Sequence, residues 1–392
     1  MPPLDGRRIW FVGIGGAGLS GYALLARAWG AEVGGWDRVE TPYLNSLRGV
    51  PLELAPEPVV PEGWNEVVVS TAYRDQVEGK PRAEFLAELV SEQRSIVVAG
   101  AHGKTTTAAM IAFCLDRLGD DPAFLIGGDV PQLGGNARAG KGWLVVEGDE
   151  SDRTINALRP ELAVVTNVDL DHHSEFASRA EVESLLADWV AEAPKSVRGE
   201  ELEPVELELA VRGEHNRQNA AVAIAAVELA GFSRDDAARV LREFRGTGRR
   251  LESRGEAGGV EVIDSYAHHP AELAADIAAM RDGGRILVLF QPHLYSRTRH
   301  LAQAFGLALT SADVVAVTDV YRAREQPIEG VTGKLVVDAA AEARPGMELG
   351  WTPTVEDGAS FISRRARSGD SVLTLGAGDI DRAVALILEA LA

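Results

Sequence analysis

A chain of 392 residues is long enough for two or three domains. Its net charge of −20 argues against a nucleic-acid surface, because phosphate backbones need clustered Lys and Arg, and leaves room for a local basic pocket that binds a nucleotide. One cysteine, Cys114 in an apolar helical pattern, excludes an internal disulfide and reads as a small buried hydrophobe. The N-terminal "MPPLDGRRIWFVG" has no secretory hydrophobic region, and no apolar run approaches membrane-spanning length. The expectation is a soluble cytoplasmic protein in a reducing compartment, without membrane insertion and without nucleic acid.

The run "RRIWFVGIG" predicts a strand, with "GLSGYALLARAWG" as the helix behind it. "AEVGGWD" and "EVVVSTA" predict two more strands, the second followed by the helix "PRAEFLAELVSEQ". A second series opens with "SIVVAG" and its helix and continues through "PAFLIGG", "GWLVVEGDE" and "LAVVTNV". A weakly patterned acidic stretch follows, from Ala191 to Arg212, with a short strand expected at "VELELAV". A third series runs through "GVEVIDSYAHHP", "GRILVLFQ", "ADVVAVTDV" and "DSVLTLGAG", each with a helical partner. This alternation predicts α/β units with parallel sheets in three modules, 1–90, 91–245 and 246–392. "REFRGTGRRLE" has the glycines of a hinge before the third module.

Several motifs sit at strand ends, where α/β folds gather chemistry. "GIGGAG", Gly13 to Gly18, follows a strand and opens a helix, a turn suited to a phosphate. Asp37 ends the next strand, where an acid meets a ribose hydroxyl. Taken alone, this turn fits a nicotinamide dehydrogenase or a tight turn without ligand. "GAHGKTT", Gly100 to Thr106, is sharper. Its amides can cradle phosphate, Lys104 can neutralise a transferring group, and a threonine hydroxyl can ligate Mg²⁺. It has two residues between its glycines where the usual P-loop has four. "VVEGDESD" and "VTNVDLDHH" place carboxylates and histidines after strands, as a Mg²⁺ site or as a solvated acidic face. In "GEHNRQNA", Asn216 and Asn219 share one helical face, as ligands or as an ordinary N-terminal cap. "DSYAHHP" and "FQPHLYSRTRH" suit a small zwitterion, with Arg297 placed to pair with a carboxylate.

Together these segments resemble the Mur ligase family, the ATP-dependent amide-forming enzymes of bacterial cell-wall synthesis. The similarity runs from Ile9 almost to the C-terminus, through "GIGGAGLSG", "AHGKTTT", "EGDESD", "TNVDLDHH", "HNRQNA", "GRRLE", "YAHHP", "FQPHLYSRTR", "DVYRAREQPIEGVTGKLV" and "LTLGAGDI". "FQPHLYSRT" favours the branch that adds L-alanine to UDP-N-acetylmuramate over the recycling branch that attaches a ready-made peptide. The resemblance implies an N-terminal Rossmann-like UDP-binding domain, a central P-loop ATPase-like domain and a C-terminal Rossmann-like domain. Gly13, Gly15, Gly16, Ala17, Gly18, Asp37, Ser70 and Thr71 would lie along the UDP-sugar. Gly100, Ala101, His102, Gly103, Lys104, Thr105 and Thr106 would hold ATP, with Asn216, Asn219 and Arg250. Thr105, Glu147 and His172 would hold Mg²⁺. Tyr266, His268 and Arg297 would hold the alanine, and Lys104, Arg250, Asp264 and His268 would carry the catalysis. The substrates implied are ATP, UDP-N-acetylmuramate and L-alanine, and the state a monomer or weak homodimer. The proton acceptor is His268 or a nearby carboxylate.

Three departures stand out. Only about 40 residues separate His172 from Asn216, well short of the family pattern, so a pared-down central domain is expected. "IDSY" stands where many relatives read "DDY", leaving Asp264 as the functional carboxylate and Ser265 as a tolerated change. Leu294 stands where some relatives carry Arg. The alternative to an active ligase is a non-catalytic UDP-sugar-binding remnant, which has no physical need for Lys104, Glu147, His172 and Arg250.

Overall fold

The computed structural model describes residues 2–150, 154–170, 176, 178–281, 284–323 and 325–392. The alternating pattern resolves into three sheets of mostly parallel strands. The first holds β1 (Arg8–Val12), β2 (Glu32–Asp37), β3 (Leu52–Leu54), β4 (Glu66–Val69) and β5 (Lys80–Pro81) in the order β3-β2-β1-β4-β5. Helices α1 (Ala17–Ala28) and α2 (Arg82–Glu92) supply its crossovers. Side chains alternate across β1: Ile9 and Phe11 join the core with Leu19, Leu25, Phe85 and Leu89, while Trp10 and Val12 pack with Trp36 and Val69.

The second sheet holds β6 (Ser95–Ala99), β7 (Ala123–Val130), β8 (Gly135–Arg138), β9 (Leu144–Glu147), β10 (Leu162–Val165) and β11 (Lys195–Arg198), ordered β11-β10-β6-β9-β7-β8. Only the β7–β8 pair is antiparallel. Its helices are α3 (Lys104–Arg117), α4 (Arg179–Ala191), α5 (Glu214–Leu229) and α6 (Arg234–Leu241). Every residue of α3 from Thr105 to Leu115 is buried. Cys114 is among them, and burial pushes its thiol up to about 12, as an inert hydrophobe requires.

The strand expected at "VELELAV" does not form. Leu207 is buried between exposed Glu206 and Glu208, so the alternation is real. The described residues offer it no ladder partner: Leu207 N bonds locally to Val205 O at 2.9 Å, and Val205 N reaches Arg217 O at 3.4 Å. The strand of this region is instead β11, from the less apolar "KSVR".

The chain forms two compact units, Met1–Leu209 with Arg217–Arg245 and Ala210–Asn216 with Gly246–Ala392. The first unit holds both of the sheets described so far. There α1 lies close to the β7–β8 hairpin: a Cβ at Gly21 would stand 2.9 Å from Leu125 and 3.0 Å from Ala137. Asn136 of β8 donates to Ala17 O, 3.1 Å away at the start of α1.

The second unit holds the third sheet: β12 (Glu252–Ala257), β13 (Val260–Ser265), β14 (Ile286–Phe290), β15 (Val314–Val317), β16 (Glu348–Trp351) and β17 (Ser371–Leu375). The order is β12-β13-β17-β14-β15-β16, with only the β12–β13 hairpin antiparallel. Its helices are α7 (Pro270–Ala279), α8 (Tyr295–Leu309), α9 (Lys334–Ala343), α10 (Val355–Ser363) and α11 (Arg382–Leu391). β14 is buried on both faces, with Val288 and Phe290 in one core cluster and Leu287 and Leu289 in the other, as a parallel strand covered by helices requires.

Gly306 of α8 meets α9 backbone to backbone, since a Cβ there would stand 2.6 Å from Ala339 C and Ala340 N. On an open helix face Gly→Ala stabilises by up to about 1 kcal/mol. Here steric overlap reverses the sign, and Gly306→Ala is expected to cost about 1–3 kcal/mol in urea unfolding.

Candidate functional site

Each parallel strand delivers its loop to the C-terminal edge of its sheet, and the motif residues collect there. At the first sheet, Gly13 turns the chain out of β1 with φ +88°. A Cβ at Gly13 would stand 2.8 Å from Ser70 Cβ, so the turn and the end of β4 are in contact. Gly15 N donates to Asp37 Oδ2 at 2.7 Å, and Thr41 Oγ1 donates to Gly15 O at 2.7 Å. Asp37 is buried and also accepts from Arg38 N. Gly16 caps α1, which begins at Ala17 and carries Gly18 in its first turn. Thr71 opens a short 3₁₀ turn after β4 and is exposed. Gly13, Gly15, Asp37 and Ser70 are thus assembled, with Asp37 tied to the turn itself.

In the same unit, β6 runs into the second glycine loop. Gly100 has φ +118°, and a Cβ on it would stand 2.5 Å from Thr166 Oγ1 and 2.6 Å from Asn167 O. Gly103 caps α3 in the left-handed region, and a Cβ there would collide with Asn219 Oδ1. Thr166 Oγ1 and Asn167 Nδ2 donate to His102 O, at 2.7 and 2.8 Å, and His102 N donates to Asn167 Oδ1 at 2.9 Å. The loop between Gly100 and Gly103 is thereby strapped to the end of β10. Ala101 is buried within it, and Thr106 is buried behind Thr105 in α3.

Lys104 folds back over this loop. Its Nζ donates to Gly100 O at 2.6 Å and to Glu150 Oε1 at 2.9 Å. Burial alone would lower the ammonium's pKa. The charge and hydrogen bond of Glu150, with Glu147 and Asp149 beyond, outweigh it and raise the value. Glu150 is itself buried, and its Oε2 has no hydrogen-bond partner among the described residues. Thr105 Oγ1 donates to Glu147 Oε1 at 3.0 Å, and Glu147 Oε2 accepts from Gly127 N at 2.7 Å. Hydroxyl and carboxylate oxygens this close form a hard-oxygen donor set that fits Mg²⁺. His172, the third expected ligand, lies outside the described residues, as do Asp152, Asp171 and His173.

In the second unit, Asn216 is buried and donates to Arg212 O at 2.6 Å. Asp264 is fully buried at the end of β13, its Oδ1 accepting from Thr374 Oγ1 at 2.7 Å and its Oδ2 from Arg249 Nε at 2.8 Å. The cation hydrogen-bonded to Asp264 is therefore Arg249, with Arg254 Nη1 3.9 Å from the same oxygen. Arg250 turns instead to Glu272, 3.4 Å away. Both guanidinium groups lie over Tyr266, at 5.3 and 5.6 Å from the ring centroid. Glu272, one turn into α7, accepts from the backbone N–H groups of His268 and His269. His268 Nδ1 lies 3.1 Å from Tyr266 O and 3.5 Å from Glu272. The His268 ring meets His293 edge-on at 6.1 Å, and His293 stacks on Tyr321 at 5.8 Å. Burial, with the charges of His268 and Arg297, pushes the His293 imidazole down to about 4, so it is neutral. Arg297 is buried in the first turn of α8.

Residues 98–197 match the family profile described as Mur ligase middle domain, and residues 249–378 the one described as Mur ligase, glutamate ligase domain. The chain is 38% identical to the UDP-N-acetylmuramate–L-alanine ligase of Rubrobacter xylanophilus, covering 96% of this chain and 98% of the relative. It is 39% identical to the enzyme of that name from Streptomyces coelicolor, covering 94% of each. The chain belongs to the Mur ligase family. The crystal structure of UDP-N-acetylmuramate-alanine ligase MurC from Thermotoga maritima superposes with a TM-score of 0.79 at 26% identity, covering 97% of this chain and 98% of that one. The alignment with the Rubrobacter relative spans 438 positions, more than this Mur ligase has residues, so the relative carries segments this chain lacks.

Several residues around the candidate site of this Mur ligase escape sequence reasoning. Glu150 lies inside a quoted acidic motif but is indistinguishable there from its neighbours. Arg249 adjoins the residue chosen. His293 lies in a quoted motif without being singled out. Asp276 has no motif at all. The serine at position 265 donates to Asp276 Oδ2 at 2.6 Å, and His215 Nε2 lies 3.9 Å from Asp276 Oδ1. Burial, with the charge of Glu272, raises the Asp276 carboxyl to about 7 against the opposing Ser265 hydrogen bond and Arg250 charge. Burial also lowers the His215 pKa, with Arg250 adding to the effect.

The folded state therefore holds the Asp276 proton more tightly than the unfolded chain does. The associated stability is complete below about pH 4 and is lost as pH rises through about 7. Asp276→Asn, a neutral isostere, is expected to gain about 2–4 kcal/mol at pH 8.5. The gain should shrink toward zero near pH 4, measured by urea unfolding across that range.

Proposed function

We propose that this protein joins L-alanine to the lactyl carboxylate of UDP-N-acetylmuramate at the expense of ATP, in peptidoglycan precursor synthesis. The observation that carries the reaction type is the second glycine loop, with Lys104 folded over it beside Thr105, Glu147 and Glu150. Backbone amides at the start of α3 bind phosphate oxygens, and Lys104 answers the charge that gathers on the transferring group. A dehydrogenase has no use for that lysine.

The muramoyl carboxylate attacks the γ-phosphorus of ATP, ADP leaves, and an acyl phosphate forms. The amine of alanine attacks the carbonyl carbon and loses a proton. The tetrahedral intermediate then expels phosphate to leave the amide. Oxide, a poor leaving group, is thus replaced by phosphate.

Gly13, Gly15, Gly16, Ala17, Gly18, Asp37, Ser70 and Thr71 are assigned to the UDP-sugar. Gly100 to Thr106, Asn216, Asn219 and Arg250 are assigned to ATP, and Tyr266, His268 and Arg297 to alanine. Asp264 is assigned to the nucleotide as a buried acceptor. Mg²⁺ would be held by Thr105 and Glu147, with His172, and would screen the phosphate oxygens. His268, with Nδ1 3.1 Å from Tyr266 O and 3.5 Å from Glu272, is the proposed proton acceptor. The proposed domains are 1–90, 91–245 and 246–392. The proposed setting is the cytoplasm, as a monomer or weak homodimer.

Incubation with ATP, Mg²⁺, UDP-N-acetylmuramate and each of L-alanine, L-serine, glycine or a ready-made tripeptide tests the assignment by product mass. Only L-alanine is expected to give efficient turnover. Sugar-nucleotide binding without phosphate release would sink the ligase. Lys104→Met is expected to lower kcat by at least about 100-fold. Because that change strands Glu150 as a buried unpaired charge, Lys104→Met with Glu150→Gln separates lost catalysis from lost folding. The double variant should recover thermal stability without recovering phosphate release.

A further inference from the structure

Arg249 is held in the left-handed region, with φ +56°, and Leu251 two residues on has φ +51°. Non-glycine residues reach that region at a cost of about 1 kcal/mol or more each, so something must hold them there. The guanidinium of Arg249 does so in three directions. Nε donates to Asp264 Oδ2 at 2.8 Å, Nη2 to Gly376 O at 2.9 Å and Nη1 to Gly378 O at 3.2 Å. Its main chain is fixed as well: N donates to Glu252 Oε2 at 2.8 Å, and O accepts from Tyr266 N at 2.6 Å. Its donors sit on three nitrogens of one rigid plane, Nε, Nη1 and Nη2, so the three acceptors are held in fixed relative directions, which the single nitrogen of a lysine on its flexible stem does not impose.

We propose that Arg249 is a positioning residue that sets Asp264, Tyr266 and the Gly376–Gly378 turn in one geometry, so that recognition of ATP and of the amino acid depends on it jointly. The proposal rests on the assignment of Asp264 to the nucleotide and Tyr266 to alanine. Asp264 is fully buried with one lone pair of each oxygen already taken. A ligand can use only the directions left, which Arg249 and Thr374 define. Tyr266 is partly exposed and lies under the same guanidinium. Without the fork, the loop from Arg249 to Leu251 relaxes from its strained backbone, and both recognition groups lose their common reference.

The test is steady-state kinetics of the full chain with ATP, L-alanine and UDP-N-acetylmuramate varied in turn. Arg249→Ala is expected to raise KM for both ATP and L-alanine by about tenfold or more, the loss expected for a charged hydrogen bond. KM for the sugar nucleotide should stay within about twofold, as expected for contacts Arg249 does not touch. Asp264→Asn should raise KM for ATP alone, and Tyr266→Ala KM for L-alanine alone. Arg249→Lys, which keeps the charge but not the fork, should remain impaired for both. It also serves if the alanine variant does not fold.

Arg249 variants with unchanged KM for ATP and L-alanine would overturn the proposal, as would full rescue by Lys. If Asp264→Asn and Tyr266→Ala leave both KM values unmoved, the site assignments fail and the proposal with them. If those two behave as stated and Arg249→Ala does not, the positioning role alone fails.

Discussion

A lysine ammonium largely withdrawn from solvent must have its charge answered, and in the central sheet Glu150 answers it. That pairing explains the surrounding arrangement. Lys104 can lie over the glycine loop only because Gly100 and Gly103 take backbone conformations that other residues resist. Asn219 and Thr166 occupy the space that Cβ atoms would need. The loop in turn is strapped to the end of β10 by Thr166 and Asn167. Under the proposed function a phosphate in this loop would compete with Glu150 for the lysine, and Glu150 Oε2 has no hydrogen-bond partner among the described residues. The ion pair thus fixes the lysine over the loop.

The sheets were legible because parallel strands buried on both faces leave apolar runs bounded by glycine. "ILVLF" and "SIVVA" have no other plausible home. "VELELAV" misled because alternation records only that one side is covered. It cannot tell a paired strand from an extended segment without a neighbour. The glycine loops were legible for a related reason: their residue types answer steric demands that few other residues meet. His172 was named from its motif, and its place in the fold is outside the described residues.

What the sequence concealed was direction. Arg249 and Arg250 are adjacent and chemically identical, and which one reaches Asp264 depends on a left-handed turn at Arg249 that no local pattern announces. The same holds for Glu147 and Glu150 in one acidic run: the first meets Thr105 and the second Lys104, because the chain turns after β9. Ser265 looked like a tolerated change in a familiar motif. Its hydroxyl is bound to Asp276, one helix later, a carboxyl that no motif contains.

A chain carrying −20 overall is an unexpected vessel for polyanionic substrates. The conflict dissolves at short range. Within the units, three cations of the candidate site each sit against an acid: Lys104 against Glu150, Arg249 against Asp264, Arg250 against Glu272. Paired in this way they add little long-range field. Selectivity then falls to geometry. Under the proposed function, backbone amides at helix starts and fixed donor directions would recognise a phosphate that fits the loop. The acids beside the cations hold each positive group at a set position at the cost of part of its attraction.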